Sequence, residues 1–243
     1  MKHILAILVV SWLSVVSAGA EPKFSFGSSL LSQYLGGNGA VFHDKPVLQS
    51  NLTISGSSGF YVDLWWSTGL DDSNFDSNFG DEADVTLAWA GELARIGVDL
   101  GVTYITISPI DNLPQDDLVD SFIKMSKGFS VGQNSLSPYA KLEKYLSQSD
   151  ALFGGGTHLR TGMTHSWQFN KAWNLGQDFY ALRDFGAFGN DPGWLGSYSL
   201  ALNWQARKNL SVTLLRAKAS DALSGMSDRD LELAYGCGVS GSF

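Results

Sequence analysis

The sequence is poor in cysteine, in proline and in positive charge. Its 243 residues contain one cysteine, Cys237, and six prolines. A single cysteine cannot form an internal disulfide, so the fold must be stable without one. Acidic residues outnumber basic residues by 24 to 16, for a net charge of −8. Because binding to phosphates needs a clustered basic surface, we expect no nucleic-acid partner.

Long hydrophobic runs are also missing, apart from one near the N-terminus. This run covers residues 4–16, follows Lys2 and precedes Ala18-Gly19-Ala20. It is too short to span a bilayer comfortably and ends in a small-x-small cleavage pattern. We therefore expect residues 1–20 to be a cleaved signal peptide and residues 21–243 to form the exported domain. No cysteine follows the cleavage site, so a lipid anchor is not indicated.

Aromatic residues and glycines are abundant and are spread through short alternating segments. The chain has 14 Phe, 8 Tyr, 8 Trp and 27 Gly. Most segments approach the nine to eleven residues of a tilted membrane-spanning strand. The pattern predicts an all-β transmembrane barrel, antiparallel and up-and-down, with about twelve strands; a soluble β-sandwich shares the composition. The predicted strands are 24–34, 46–55, 59–67, 82–91, 94–106, 118–127, 137–146, 157–168, an ambiguous 177–185, 195–206, 209–217 and 230–243.

The connections between these segments alternate in length. Odd-numbered connections are long and polar, whereas most even-numbered ones are short, as in GSS, GELA and RKN. Outer-membrane barrels have this layout, with long external loops and both termini in the periplasm. We therefore predict the outer membrane of a Gram-negative bacterium as the location, with outer-membrane lipid and lipopolysaccharide as neighbours.

Charged residues recur on the face of each strand opposite the apolar one. A wet lumen accommodates such groups, whereas a dry core does not. We expect them to line a pore and to give it a mild cation preference, although a soluble sheet with one wet face would show the same pattern. The candidates are Asp63, Glu82, Asp84, Asp99, Asp120, Lys124, Lys141 and Glu143.

Large aromatic residues support two interpretations. Trp near the ends of strands is typical of interfacial girdles, which applies to Trp65, Trp66, Trp89, Trp194 and Trp204. Aromatic side chains can instead fill a narrow twelve-stranded lumen, and the candidates for that role are Trp65, Phe122, Tyr139 and Tyr145.

The C-terminal segment LELAYGCGVSGSF alternates up to its last residue, Phe243. Such a segment predicts a closing strand that pairs with the first one. It also resembles the terminal signal read by the barrel-assembly machinery. We expect Tyr235, Val239 and Phe243 to form that signal.

A set of short motifs in residues 24–130 resembles the Gcw_chp family of proteobacterial exported proteins, also known as TorF-type porins. This resemblance implies an outer-membrane barrel. Members often carry an arginine shortly after the tyrosine of the first hairpin, and Leu35-Gly36-Gly37 stands there instead. The motifs are Ser32-Gln33-Tyr34, Gly36-Gly37, Lys45-Pro46-Val47-x-Gln49, Gly59-Phe60-Tyr61, Trp66-Ser67, Glu82-x-Asp84 and Asp99-x-Gly101.

Residues that carry catalysis or bind metals are sparse. His165 and Ser166 are neighbours that a strand would point to opposite faces, and no Gly-x-Ser-x-Gly elbow is present. The spacing of the first ligands of a calcium-binding loop is found at Asp72, Asn74 and Asp76. The glycine required after the third ligand is missing. A solvated acidic loop is the favoured interpretation. We expect neither a cofactor nor an enzyme.

These observations favour a porin for passive diffusion of small solutes. The first alternative is a plugged barrel whose long loops act as an adhesin or a structural element. A lipid-modifying barrel enzyme using His158 or His165 and a soluble periplasmic β-protein are further alternatives. The sequence does not indicate the solute or the oligomeric state.

Overall fold

The computed structural model describes residues 21–71, 81–107, 117–147, 154–226 and 230–243. The predicted signal peptide lies outside these residues. Strands make up 76% of the described residues. The strands are β1 (Lys23–Leu31), β2 (Tyr34–Leu35), β3 (Val41–His43), β4 (Val47–Ser55), β5 (Phe60–Gly69), β6 (Glu82–Leu93), β7 (Ile96–Ile107), β8 (Leu118–Ser126), β9 (Phe129–Val131), β10 (Asn134–Ser147), β11 (Gly156–Gln168), β12 (Trp173–Asp184), β13 (Gly193–Arg207), β14 (Leu210–Ser224) and β15 (Glu232–Ser242).

Twelve of these strands close into an antiparallel barrel, which confirms the predicted fold class. Each pairs with its neighbours in the order β1, β4, β5, β6, β7, β8, β10, β11, β12, β13, β14, β15. The last strand returns to the first, with Ser28 opposite Val239. Beyond the end of β15, Phe24 and Phe243 exchange two backbone hydrogen bonds of 3.0 Å each. Closure gives each of the twelve barrel strands a partner on both sides, as a lipid-facing sheet requires.

The barrel is apolar outside and polar inside. Leu100 and Val102 on β7 and Ile123 on β8 are exposed on the outer face, while the alternate positions Asp99 and Lys124 line the interior. This arrangement is the reverse of a water-soluble domain and suits a hydrocarbon solvent. Exposed tryptophans near strand ends are Trp66, Trp167, Trp194 and Trp204.

Several boundaries differ from the predicted ones. The turn between β6 and β7 is not GELA but Ala94-Arg95, where φ is 51° and 65°. Left-handed backbone at both central residues matches the twist of a two-residue hairpin, so both strands extend to meet it. The ambiguous segment 177–185 belongs to the regular strand β12, which begins at Trp173.

The first connection differs most from prediction. The sequence predicts an external loop at residues 35–45 and the end of the first strand at residues 32–34. In the structure β1 ends at Leu31, and the small hairpin β2–β3 follows it. We name residues 34–43 the inward hairpin, because its contacts are with side chains of the lumen. Among the described residues, no helix is long and apolar enough to cross a membrane.

Candidate functional site

The acidic side chains of the lumen come from four consecutive strands. Asp63 lies on β5, Glu82 and Asp84 on β6, Asp99 on β7 and Asp120 on β8. Period-two alternation points all five inward, as the sequence predicts. Asp63 accepts hydrogen bonds from Thr53 and from Asn51, the latter at 3.4 Å. Asp99 accepts one from Tyr61 at 3.0 Å. These strands form an acidic wall.

The basic side chains lie on β8 and on strands further around the barrel. Lys141 on β10 donates to Glu143 at 2.7 Å. The guanidinium of Arg160 on β11 lies 3.4 Å from the same carboxylate. Lys124 lies over the ring of Tyr139, 4.7 Å from its centroid. Glu143 therefore does not extend the acidic wall, since two cations neutralise it.

The inward hairpin crosses the outer end of the lumen. Its Tyr34 hydroxyl donates to Glu82 on the acidic wall at 2.9 Å. On the far side, Tyr180 on β12 donates to the Gly37 carbonyl at 2.8 Å. Burial, aided by Glu82 and Asp84, raises the pKa of Tyr34 well above its ordinary value. Tyr34 is therefore a neutral donor at physiological pH, and the hairpin is held at both ends.

Lys218 on β14 forms the third attachment of the inward hairpin. Its ammonium donates to the carbonyls of Leu35 at 3.0 Å and Gly36 at 2.6 Å. Two backbone dipoles thus hold a half-buried cation directly against the hairpin. Glycine is needed at the tip, because a Cβ on Gly39, where φ is 78°, would lie 2.3 Å from a methyl carbon of Leu195.

Two cavities follow one another along the lumen. The outer cavity has a volume of about 290 Å³ and is lined by the inward hairpin, Glu82, Tyr145 and His158. The central cavity has a volume of about 450 Å³ and is lined by residues of both walls, including Asp63 and Asp99. Arg160 lines both cavities. It therefore marks the boundary between them.

Each predicted pore residue has a definite place in the lumen. Asp63, Asp99, Lys124 and Lys141 line the central cavity, and Glu82 lines the outer one. Asp84 is a close neighbour of Glu82, and Asp120 is a close neighbour of Glu143.

The sequence analysis did not single out Arg160, Tyr180 or Lys218. Their partners lie far away in the chain, so no local spacing indicates them. One local signal for the hairpin was present: Gly36-Gly37-Asn38-Gly39 is turn-forming and has alternating residues on both sides.

The histidines do not contact serines through any recorded hydrogen bond of the described residues. His158 Nε2 lies 3.3 Å from Asp184 Oδ2, and both side chains are buried. His165 Nε2 lies 2.8 Å from Asn134 Oδ1. The serine next to His165, Ser166, instead accepts from an amide at 2.5 Å.

The loop residues Asp72, Asn74 and Asp76 lie outside the described residues. At the barrel seam, Phe243 stacks on Phe24 with ring centroids 5.7 Å apart. Tyr235 points outward and is 59% exposed.

The aromatic predictions divide in two. Trp66, Trp194 and Trp204 are exposed near strand ends, as a girdle requires. Trp65 instead lies 5.7 Å from the ring of Tyr34 on the inward hairpin. Its girdle assignment is wrong, because the alternation of β5 turns it toward the lumen.

Comparison with known proteins finds likeness in fold. No family model and no curated protein matches the chain. The solved NanC porin is 12% identical, with a TM-score of 0.57 over 90% of this chain and 98% of its own. The fold is that of an outer-membrane β-barrel. LpxR from Salmonella typhimurium is 8% identical, with a TM-score of 0.54 over 89% of this chain and 99% of its own. A bacterial polysaccharide outer membrane secretin is 7% identical, with a TM-score of 0.52 over 91% and 98%.

Proposed function

We propose that this protein is a narrow outer-membrane channel of a Gram-negative bacterium that passes small hydrophilic solutes by diffusion. The observation that carries the proposal is the set of charged side chains in the interior, where an outer and a central cavity meet at Arg160. Selectivity in such a channel comes from the charges and the diameter of the lumen. The inward hairpin supplies the constriction.

The arrangement of charges supports a mild cation preference. Asp63 and Asp99 face the central cavity, and their recorded hydrogen bonds come from neutral groups. Lys141, in contrast, is paired with Glu143 at 2.7 Å. The carboxylates of the central cavity therefore keep more of their charge available to passing ions than this lysine does.

Single-channel recording of the refolded protein in planar bilayers tests the channel and its selectivity together. Under a salt gradient, we expect a reversal potential of the sign that marks cation preference. Replacing Asp63→Asn and Asp99→Asn together removes two lumen charges and should shift that potential toward zero. Glu92→Gln removes an exposed carboxylate near the β6–β7 turn and should leave it unchanged. Anion preference, or silence of a correctly folded barrel, would contradict the proposal.

The inward hairpin also favours a second candidate, the plugged barrel. Its attachments to β6, β12 and β14 tie it across the outer end of the lumen. A permanently closed barrel would present its outer loops as an adhesin or structural surface. Liposome swelling separates the two functions, since a plugged barrel gives no swelling with any sugar.

The proposal has three further parts, which concern enzymatic activity, family and assembly. We propose that the chain has no enzymatic activity, that it is a member of the Gcw_chp family, and that the barrel-assembly machinery recognises its C-terminal strand. An assay with phospholipid and lipopolysaccharide substrates tests the first of these directly. Hydrolysis or acyl transfer that disappears in His158→Gln would overturn it.

A further inference from the structure

The outer cavity is mostly apolar but contains a few charged groups. Aromatic rings of the inward hairpin, Tyr34 and Phe42, face it from one side. Tyr145 and Phe188 face it from the other and contact each other, with ring centroids 4.6 Å apart. A single ordered water needs roughly 10–15 Å³ of such space, and this cavity has about 290 Å³. The space suits one small organic molecule with an apolar body.

Arg160 on β11 lines the outer cavity and presents a guanidinium to it. Its Nη2 lies 3.4 Å from Glu143, and its Nε has no recorded hydrogen-bond partner among the described residues. Buried donors without partners are costly, so a ligand that accepts from this guanidinium is favoured. His158 adds no donor, because its Nε2 faces Asp184 at 3.3 Å and Nδ1 of a neutral imidazole is then an acceptor. A guanidinium favours a carboxylate.

The opposite charge lies across the same cavity. Glu82 is on β6, four strands from β11 around the barrel. Its Oε2 accepts from Tyr34, which leaves a carboxylate with further acceptor capacity. An ammonium group beside Glu82 would also meet the electron-rich faces of Tyr34 and Phe42. This side of the cavity therefore favours a cation.

We propose that the outer cavity binds a small zwitterion with an apolar body, the chemical class of the apolar α-amino acids. The carboxylate lies at Arg160, the ammonium lies at Glu82, and the apolar part contacts the aromatic rings. A solute with only a negative charge is repelled by Glu82. A solute with only a positive charge is repelled by Arg160. The inference rests on the proposed channel, because solutes enter this cavity from the lumen or its outer mouth.

Three matched probes test the charge requirement by titration calorimetry on the folded barrel in detergent. L-Phenylalanine carries both charges, 3-phenylpropionate lacks the ammonium and 2-phenylethylamine lacks the carboxylate. We expect phenylalanine to bind at least about tenfold more tightly than either relative, since each loses one charged contact. Equal binding of all three, or no binding of phenylalanine, would overturn the proposal.

Variants assign the two ends of the ligand. Glu82→Gln keeps an acceptor for Tyr34 and should lower phenylalanine affinity about tenfold while leaving phenylpropionate affinity unchanged or higher. Arg160→Gln should weaken both carboxylate-bearing probes. Glu92→Gln, a matched change on an exposed acid, should change neither. Heat-dependent gel migration verifies folding of every variant, and the wild-type probe series decides the question if a variant misfolds. Ion conductance of the same protein is measured separately. Absence of phenylalanine binding in a barrel that conducts ions would reject this binding site but not the proposed channel.

Discussion

Lys218 gives the sharpest test of whether the inward hairpin controls the lumen. Its ammonium donates to two carbonyls of the hairpin, those of Leu35 and Gly36. Lys218→Met keeps most of the length and the apolar stem while removing both hydrogen bonds. The hairpin would then remain attached through Tyr34 and Tyr180. We expect the hairpin to detach from its position in the lumen more often.

The size of the effect follows from the bonds that are lost. Each hydrogen bond from a charged group contributes roughly 1.5–3 kcal/mol. Burying the ammonium costs part of this, since a cation loses hydration. If the hairpin's attachment is weakened by a net free energy of about 2 kcal/mol, the ratio of detached to attached hairpin rises about 30-fold. Tyr34→Phe removes one bond to Glu82 and should produce a smaller change in the same direction.

Single-channel recording measures the ratio as open and closed dwell times. Lys218→Met should raise the open-to-closed ratio by about 30-fold, and Tyr34→Phe should raise it less. Lys124→Met is the matched control, because that lysine lies over Tyr139 and has no recorded bond to the hairpin. Wild-type dwell times in Lys218→Met, or the same change in Lys124→Met, would refute the reasoning.

Two further predictions concern the hairpin tip and the barrel seam. Gly39→Val forces a side chain against Leu195 at a left-handed position and should displace the hairpin, with higher conductance and faster proteolysis between residues 34 and 43. Phe243→Ala removes the ring that stacks on Phe24 and should reduce the assembled barrel in cell envelopes without altering the conductance of refolded protein. Normal envelope levels would argue against the proposed assembly signal.

The strands and their two faces were predictable because they depend on a local period. Successive side chains of a strand point to opposite faces, so alternation alone places Asp63, Asp99 and Lys141 on the lumen side. The even strand count and closure by the last strand follow from the same pattern. Boundaries were less accurate, since the turn at Ala94-Arg95 uses non-glycine residues that carry no strong turn signal.

The candidate site was predictable only in part. The sequence indicated which charged residues face the lumen but did not indicate the partners of Glu143. The structure pairs Glu143 with Lys141 and Arg160. The buried pair of His158 and Asp184 joins residues on neighbouring strands. Their side chains become buried partners only when the lumen closes around them, which the pattern of one strand does not encode.

The sequence by itself indicated a membrane-type barrel of about twelve strands with charged residues inside, because hydrophobic periodicity and the alternation of long and short connections can both be seen along the chain. Only the tertiary structure decided what lies inside. The hairpin bends inward because Tyr180 and Lys218 reach Gly37 and Gly36 across 143 and 182 residues of chain. Contacts between residues so far apart in the chain form only when the barrel closes and inward-pointing side chains come together across the lumen. These contacts define the constriction and the outer cavity.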